Sequence, residues 1–586
     1  MNVLRSIPII FSVFALSAVS APKAQELTQR EVDFEKLMTN SKMVGVFTVT
    51  GEEKPPQEES YTIYKVEKVE GDRWRFHAKV EFGKRSVTIP IVVQVKWSGD
   101  TPMIQVSDMK IPLLGTYTAR VLIYRNQYAG MWSGGDHGGH MYGRVVRGEA
   151  EEKKTRGDWF SWRGPERTGV ARNAKPPTQW SEDKNIRWKV ALPGLGNSSP
   201  IIVKDRIYLT AAVNTGTPTA RAEEPERRPP TRDRRRSSGR SGGFRGFGSQ
   251  KPTTEQEFVV LAIDRSDGKI AWKTPIKKVL PHEGHHSTGS NASNSPITDG
   301  EHIYAHFGSR GLHCLDLQGK IIWSKDFGQM RTRNQFGEGS SPALHGNTLV
   351  VNWDHEGDSF VVALDKRTGE ELWRQPRDEV TSWATPLIIP VEGRLQAIIP
   401  ATRASRAYDL ETGEVIWSCS GMTTNCIPTP VYSNGLVYLM SGFRGSAIQA
   451  IRLAGAKGDI SDSDQIVWSH NRGTAYTPSP LLYGNLIYYL RTNTGILSCL
   501  DARTGETHYE GQRLDGLRTV YSSPVGADDR VYLTSREGVT KVIALGTQYQ
   551  EIATNQLDDG FDASAAIVGN EIYLRGRENL YCISEQ

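Results

Sequence analysis

Apolar and polar residues alternate along most of this chain in short runs closed by Gly, Asp, Asn or Pro, the period-two pattern of half-buried β-strands. In the last two thirds the runs repeat. Leu364-Asp365-Lys366-Arg367-Thr368-Gly369-Glu370-Glu371-Leu372-Trp373 is one copy: a strand, a tight turn built on Asp365 and Gly369, and a second strand ending in Trp373. Other copies place Asp264, Gly268 and Trp272, then Asp316, Gly319 and Trp323, then Asp409, Gly413 and Trp417 in the same slots. Ala450-Ile451 with Trp468, and Cys499-Leu500-Asp501 with Gly505 and Tyr509, follow. Ala544-Leu545 and Cys582-Ile583 open two degenerate last copies, making eight.

The copies recur roughly every 45 residues, the spacing of a four-stranded propeller blade. The copies also carry a Ser-Pro or Thr-Pro opening followed by a turn and an apolar strand, as at Ser199-Pro200, Ser295-Pro296, Ser341-Pro342, Thr385-Pro386, Ser479-Pro480 and Ser523-Pro524. The eighth copy ends at the C-terminus without a strand carrying Trp. A strand over 185–191, containing Trp188, is predicted to complete that blade and close the ring, leaving no open sheet edge. Trp188, Trp272, Trp323, Trp373, Trp417 and Trp468 are read as packing between blades.

Residues 43–147 have another texture: eight alternating runs, from Val44–Val49 to Met141–Val146, separated by turns such as Glu70-Gly71-Asp72. They predict a small antiparallel, lipocalin-like β-barrel. Residues 148–158, charged and without apolar period, form a linker, and 159–586 the propeller. Trp159 to Trp180, with Gly164, Pro165, Gly169 and Pro176-Pro177, reads as an irregular strap on the propeller. The expected fold class is therefore all-β, a small barrel followed by an eight-bladed propeller.

At the start, Arg5, the apolar run Ile7–Val19 and small residues at Ala18, Ser20 and Ala21 predict a signal peptide over residues 1–24. That implies export to the periplasm or the medium, with no transmembrane segment in the mature chain. No Cys stands where a bacterial lipid anchor would need one.

The 586 residues carry a formal charge of +5. Residues 221–245 hold nine arginines against four acids, a net +5, so the basicity is local. Segment 214–257, rich in Arg, Gly and Pro, is expected to be a disordered insertion, either inert or touching an anionic envelope polymer or a protein partner. Cys314, Cys499 and Cys582 stand in the slot that Ala fills in other copies and read as core residues. Cys419 and Cys426 are the candidate disulfide.

Two His-rich segments carry candidate chemistry. In the barrel, Asp136, His137 and His140 lie in a Gly-rich turn that could hold a metal but reads first as a turn. In the propeller, Pro281-His282-Glu283-Gly284-His285-His286 lies in the connection between the first two blades, expected on the same face as the basic insertion. Glu338, Trp383, Asn425 and the loop Asp354-His355-Glu356 share that face. His282, His285 and His286 are candidate metal ligands, with Glu338, Asp354 and Trp383 as candidate ligand-face residues. The alternative is polar loops hydrogen-bonded to their own backbone.

The Ala-Leu-Asp-x-x-Thr-Gly-x-x-x-Trp copies with Ser-Pro openings resemble the pyrroloquinoline-quinone-type propeller repeat, over about residues 158–586. Quinone-dependent dehydrogenases share that repeat with the BamB-like propellers of outer-membrane barrel assembly. The resemblance implies an eight-bladed binding platform. The quinone alcohol dehydrogenases pair adjacent cysteines beside the cofactor, and here no two cysteines are adjacent, nor is there a Cys-x-x-Cys-His for haem. The family's calcium and catalytic carboxylates map onto no residue of this chain. The function expected is a noncatalytic, monomeric scaffold in the cell envelope for a protein or ligand. A quinone- or metal-dependent oxidoreductase, with pyrroloquinoline quinone or a divalent metal, is the alternative.

Overall fold

The computed structural model describes residues 27–39, 41–51, 56–82, 85–111, 115–124, 126–147, 158–218 and 252–585. The expected signal peptide, almost all of the linker and the centre of the basic insertion lie outside the described residues. The chain divides into two compact units, Met1–Lys153 and Lys154–Gln586.

The first unit is a closed barrel of eight strands in meander order: β1 (Ser41–Phe47), β2 (Gln57–Glu70), β3 (Arg73–Phe82), β4 (Arg85–Ser98), β5 (Thr101–Ile111), β6 (Gly115–Tyr124), β7 (Gln127–Gly134) and β8 (His137–Arg147). It closes where β1 runs antiparallel to β8, Ser41 opposite Arg147 and Phe47 opposite Met141. The period-two pattern requires this, since it gives every strand an apolar inner row: Trp74, Phe76, Val93, Val95 and Ile123 are all buried in one cluster. A helix that the strand pattern does not anticipate, α1 (Gln29–Met38), adds Phe34 and Met38 to this core, with the Phe34 and Trp74 rings edge to face at 5.3 Å. Thr28 and Glu31 form a capping box at its start. Glu59 is buried here and accepts from the hydroxyls of Tyr61 at 2.7 Å and Tyr128 at 2.9 Å. Gly135 and Asp136 make the two-residue turn between β7 and β8, and Asp136, His137 and His140 are all exposed.

The second unit is the eight-bladed propeller, each blade built on four antiparallel strands, with a short fifth strand added in parallel to two of them, Gly458–Asp459 beside Val415–Cys419 and Val170–Ala171 beside Val525–Ala527. Blade 1 is Ile201–Val203, Arg206–Pro218, Thr254–Asp264 and Ile270–Val279. Its long central hairpin narrows the predicted insertion, because the ladder continues past Asn214 opposite Gln256 to Pro218 opposite Thr254. In blade 8, Ile186–Ala191 lies against Asn579–Ile583 with Trp188 opposite Cys582, so a strand that precedes blade 1 completes the last sheet.

Neighbouring blades lock through the repeat. The Trp323 indole N–H of blade 2 donates to the Lys366 carbonyl of blade 3 at 2.9 Å, and Trp188, Trp272, Trp373 and Trp468 do the same to Arg265, Leu317, Leu410 and Ala502. The glycine of the receiving turn lies flat on the ring. At Gly369 φ is +73°, and an added Cβ would come within 2.6 Å of Trp323. Trp417 departs from the pattern. Blade 5 lacks the Asp-x-x-Thr-Gly turn, the short strand Gly458–Asp459 pairs alongside Trp417 instead, and its indole N–H turns to Gln396 Oε1 within its own blade. Opposite each tryptophan stands a small residue: Ala262, Cys314, Ala363, Ala407, Ala450 and Cys582 face Trp272, Trp323, Trp373, Trp417, Trp468 and Trp188. A large side chain there would compete with the indole for the same space.

The Cys419–Cys426 pairing is not made. Both are free, buried thiols, and they are turned to different partners, Cys419 to Gln449 Oε1 and the Ser420 carbonyl, Cys426 to the Thr423 carbonyl.

Candidate functional site

The Ser-Pro and Thr-Pro openings meet at the propeller axis. The Ser199 backbone N–H donates to Ser295 Oγ at 2.9 Å, Ser295 N–H to Ser341 Oγ at 2.9 Å, and Thr385 N–H to Thr429 Oγ1 at 3.2 Å. Thr429, Ser479, Ser523 and Ser564 continue the belt, and Ser564 N–H returns to Ser199 Oγ at 3.0 Å. At the step from Ser341 to Thr385, the Trp162 indole N–H takes the Thr385 hydroxyl at 3.3 Å. Seven of the eight hydroxyls are thus held at the axis by a neighbour's backbone and the eighth, Thr385, by Trp162, which accounts for a small hydroxyl residue opening every inner strand.

Above the belt opens a funnel of about 1300 Å³. Its walls follow the strand period. The residues two before each belt hydroxyl (Asn197, Ser293, Gly339, Trp383, Ile427, Thr477, Tyr521 and Asp562) all line it. Phe336, Phe443 and Tyr476 complete the aromatic part, the last two stacked at 4.8 Å. Asn425 Nδ2 donates to the Tyr476 hydroxyl at 3.2 Å and fixes that ring.

The strap supplies the floor. Trp162 lines the funnel, and Arg163 behind it is 2% exposed, donating to the carbonyls of Pro480 at 2.7 Å, Pro524 at 2.9 Å and Thr168 at 2.8 Å. Arg167 donates to the Ile388 and Leu344 carbonyls. Burial pushes the Arg163 pKa down to about 9. Asp562, the one carboxylate of the lining, lies 2.6 Å from Arg536 Nε, and burial pushes it up to about 6 against the pull of Arg536.

The sequence candidates divide. His286 and Trp383 line the funnel. The His286 ring packs on Phe336 edge to face at 5.0 Å, its Nδ1 lies 2.7 Å from Thr288 Oγ1, and burial, then the charge of Arg536, lower its pKa. The Trp383 indole N–H donates to the Gly337 carbonyl at 2.7 Å. His282 Nε2 faces the Met330 carbonyl at 2.7 Å and His285 Nδ1 the His286 carbonyl at 2.8 Å, so the three imidazoles do not converge. Glu338 accepts from Ser309 N–H and Oγ and from Arg310. Asp354 is fully buried against Arg377, with Nε to Oδ1 at 2.7 Å, and also accepts from Ser382. Among the described residues, no three His, Cys, Asp or Glu side chains are grouped to hold a metal. Glu338 thus spends its carboxylate on Ser309 and Arg310 of a neighbouring loop and Asp354 on the Arg377 and Ser382 side chains, and neither is among the residues lining the funnel. The base of the basic insertion does reach this face, where Asn291 Nδ2 donates to Gln256 Oε1 at 2.8 Å.

Tyr476, Phe443, Tyr521, Asp562 and the strap residues Trp162 and Arg163 were not singled out from the sequence. A usable signal was there for Tyr521, two before Ser523-Pro524, whereas the others lie at no such position and Asp562 stands before Ser564-Ala565.

Comparison with known proteins places this architecture. The Yersinia pestis Outer membrane protein assembly factor BamB is 24% identical over 318 residues, 51% of this chain and 70% of that protein. The Francisella salina protein of the same description is 29% identical over 98 residues, 17% of each. Among solved structures, BamB from Moraxella catarrhalis aligns at 14% identity and TM-score 0.41, over 58% of this chain and 96% of that one. A europium-containing methanol dehydrogenase aligns at 11% identity and TM-score 0.48, over 73% and 91%. A family model described as Outer membrane protein assembly factor BamB matches residues 256–508 and, overlapping, 357–586. With more than half its length so matched, the chain belongs to the BamB family of β-propellers.

Proposed function

We propose that this protein is an exported, noncatalytic propeller platform of the cell envelope that receives a protein or ligand at the funnel. The carrying observation is the funnel itself, about 1300 Å³, with aromatic side chains from several separate segments on its wall, while His282 and His285 face backbone carbonyls and Glu338 and Asp354 pair with Arg310 and Arg377. The family relatives, described as outer membrane protein assembly factors, support an envelope role, and the apolar run Ile7–Val19 supports export. No helix among the described residues is long and apolar enough to cross a membrane. The basic segment 221–245 would add a contact to an anionic envelope polymer, weakening steeply with salt. A quinone- or metal-dependent oxidoreductase has one observation in its favour, Asp562 and His286 in the same funnel.

The test is a photo-crosslinking residue placed at Phe443 on the rim and, separately, at the exposed outer-strand position Leu372, in the native host. A discrete adduct from position 443 and none from 372 supports the platform. Stoichiometric quinone in the purified protein, with turnover of an alcohol in the presence of an electron-accepting dye, overturns it in favour of the enzyme.

A further inference from the structure

We propose that the funnel floor is a carboxylate-binding site and that its ligand is an acidic saccharide, with a uronate carboxylate on the axis and sugar rings against the aromatic wall. This rests on the platform reading and names the class of ligand it would take.

The floor is a ring of unused donors. Each belt hydroxyl accepts one N–H, and for none of them does the O–H proton have an acceptor among the described residues, as at Ser199, Ser479 and Ser523. All of them line the funnel. Hydroxyls that converge on one axis as donors match a group that only accepts, and a carboxylate offers about four lone-pair sites.

Two buried guanidiniums stand behind this ring with no carboxylate partner among the described residues. Arg163 holds the carbonyls of Pro480 and Pro524, each next in the chain to a belt serine. Arg575, 1% exposed, donates to the Ser198 carbonyl at 3.0 Å, beside Ser199, and its Nε and Nη2 have no partner. Buried charge without a counter-charge is costly, and an anion on the axis offsets both. The lining holds no Lys or Glu, its one arginine is the exposed Arg444, and Asp562 is already matched by Arg536.

The walls suit a polyhydroxylated body, and the exposed Arg444 is their one guanidinium for a further uronate. They carry amides such as Asn197 and Asn493, hydroxyls such as Thr477 and Thr494, and the stacked Phe443–Tyr476 pair, a flat apolar surface for the C–H face of a sugar ring. The volume exceeds that of most single-ligand sites, so more than one sugar ring fits.

The purified full chain is titrated with trigalacturonate, with neutral maltotriose, with free galacturonate and with an oligoglutamate peptide, followed by calorimetry. Trigalacturonate is expected to bind at least about tenfold more tightly than maltotriose. Ser479→Ala/Ser523→Ala should weaken it about tenfold or more. Because that double variant touches the belt, Tyr476→Ala provides an independent arm: trigalacturonate weakened about tenfold, with free galacturonate changed by less than about twofold. Equal binding of maltotriose, binding of oligoglutamate without the saccharide, binding unchanged in both variants, or no saturation up to about 10 mM overturns the inference. A crosslinked envelope partner at position 443 with no saccharide binding would do so too, while leaving the platform reading in place.

Discussion

The backbone N–H of Ser564 donates to the hydroxyl of Ser199, 365 residues earlier, at 3.0 Å. This bond closes the axial belt just as the pairing of Trp188 with Cys582 closes the outer ring. Both groups are buried, so Ser199→Ala leaves the Ser564 N–H without a partner. Denaturant unfolding should show a loss of about 1 to 3 kcal/mol. An unchanged midpoint would mean that the belt contributes nothing to closure.

The glycine of the repeat turn is under two constraints, a positive φ and contact with the preceding blade's tryptophan. Gly369→Ala meets both, with Trp323 2.6 Å from the new Cβ, whereas Gly393→Ala meets only the first, at φ +81° with open space around it. Gly393→Ala should cost about 1 kcal/mol and Gly369→Ala more, with the excess reporting the clash. Trp373→Ala should cost about 3 to 5 kcal/mol in the same assay.

Asp354 and Arg377 are both fully buried and paired at 2.7 Å. Asp354→Asn leaves the guanidinium uncompensated and should cost about 3 to 5 kcal/mol, whereas Asp354→Asn with Arg377→Met should recover part of that loss. A ligand-binding role for Asp354 would instead leave stability unchanged in the single variant.

Burial pushes the His306 pKa down to about 4 from 6.5, so the folded protein keeps this ring neutral where the unfolded chain protonates it. The unfolded state therefore binds more protons between those values. Stability contributed at neutral pH should fall by about 3 kcal/mol as the pH drops from 6.5 to about 4. His306→Gln should flatten that part of the unfolding free energy against pH.

All five cysteines are free and buried, and burial pushes Cys419 up to about 11 and Cys314, Cys499 and Cys582 to about 12. A thiol reagent should label none in the folded protein and all five after unfolding without reductant. Three labelled thiols would restore the Cys419–Cys426 disulfide.

The fold was legible because its causes are local and repeated. The Asp365–Gly369 turn, the small residue facing each tryptophan and the Ser-Pro opening each read from a few consecutive residues, and eight copies average out the irregular ones. Trp417 is buried among residues of blades 4 and 5, and only its N–H partner differs from the other copies, because blade 5 lacks the receiving turn. Helix α1 was missed because one short helix in a strand-rich domain leaves a weak period beside the alternation around it. The His cluster misled in another way: spacing shows that His282, His285 and His286 are close in the chain, and rotamers decide where the rings point.

By itself the sequence determined the blade count, the closing strand and the barrel, since alternation, turn chemistry and repeat length are properties of neighbouring residues. The site was decided by the tertiary structure alone. Ser199 and Ser564, or Arg163 and Pro524, become neighbours only when the ring closes, and although the strand period marks the wall position two before each opening hydroxyl, it does not encode which of those side chains meet across the axis.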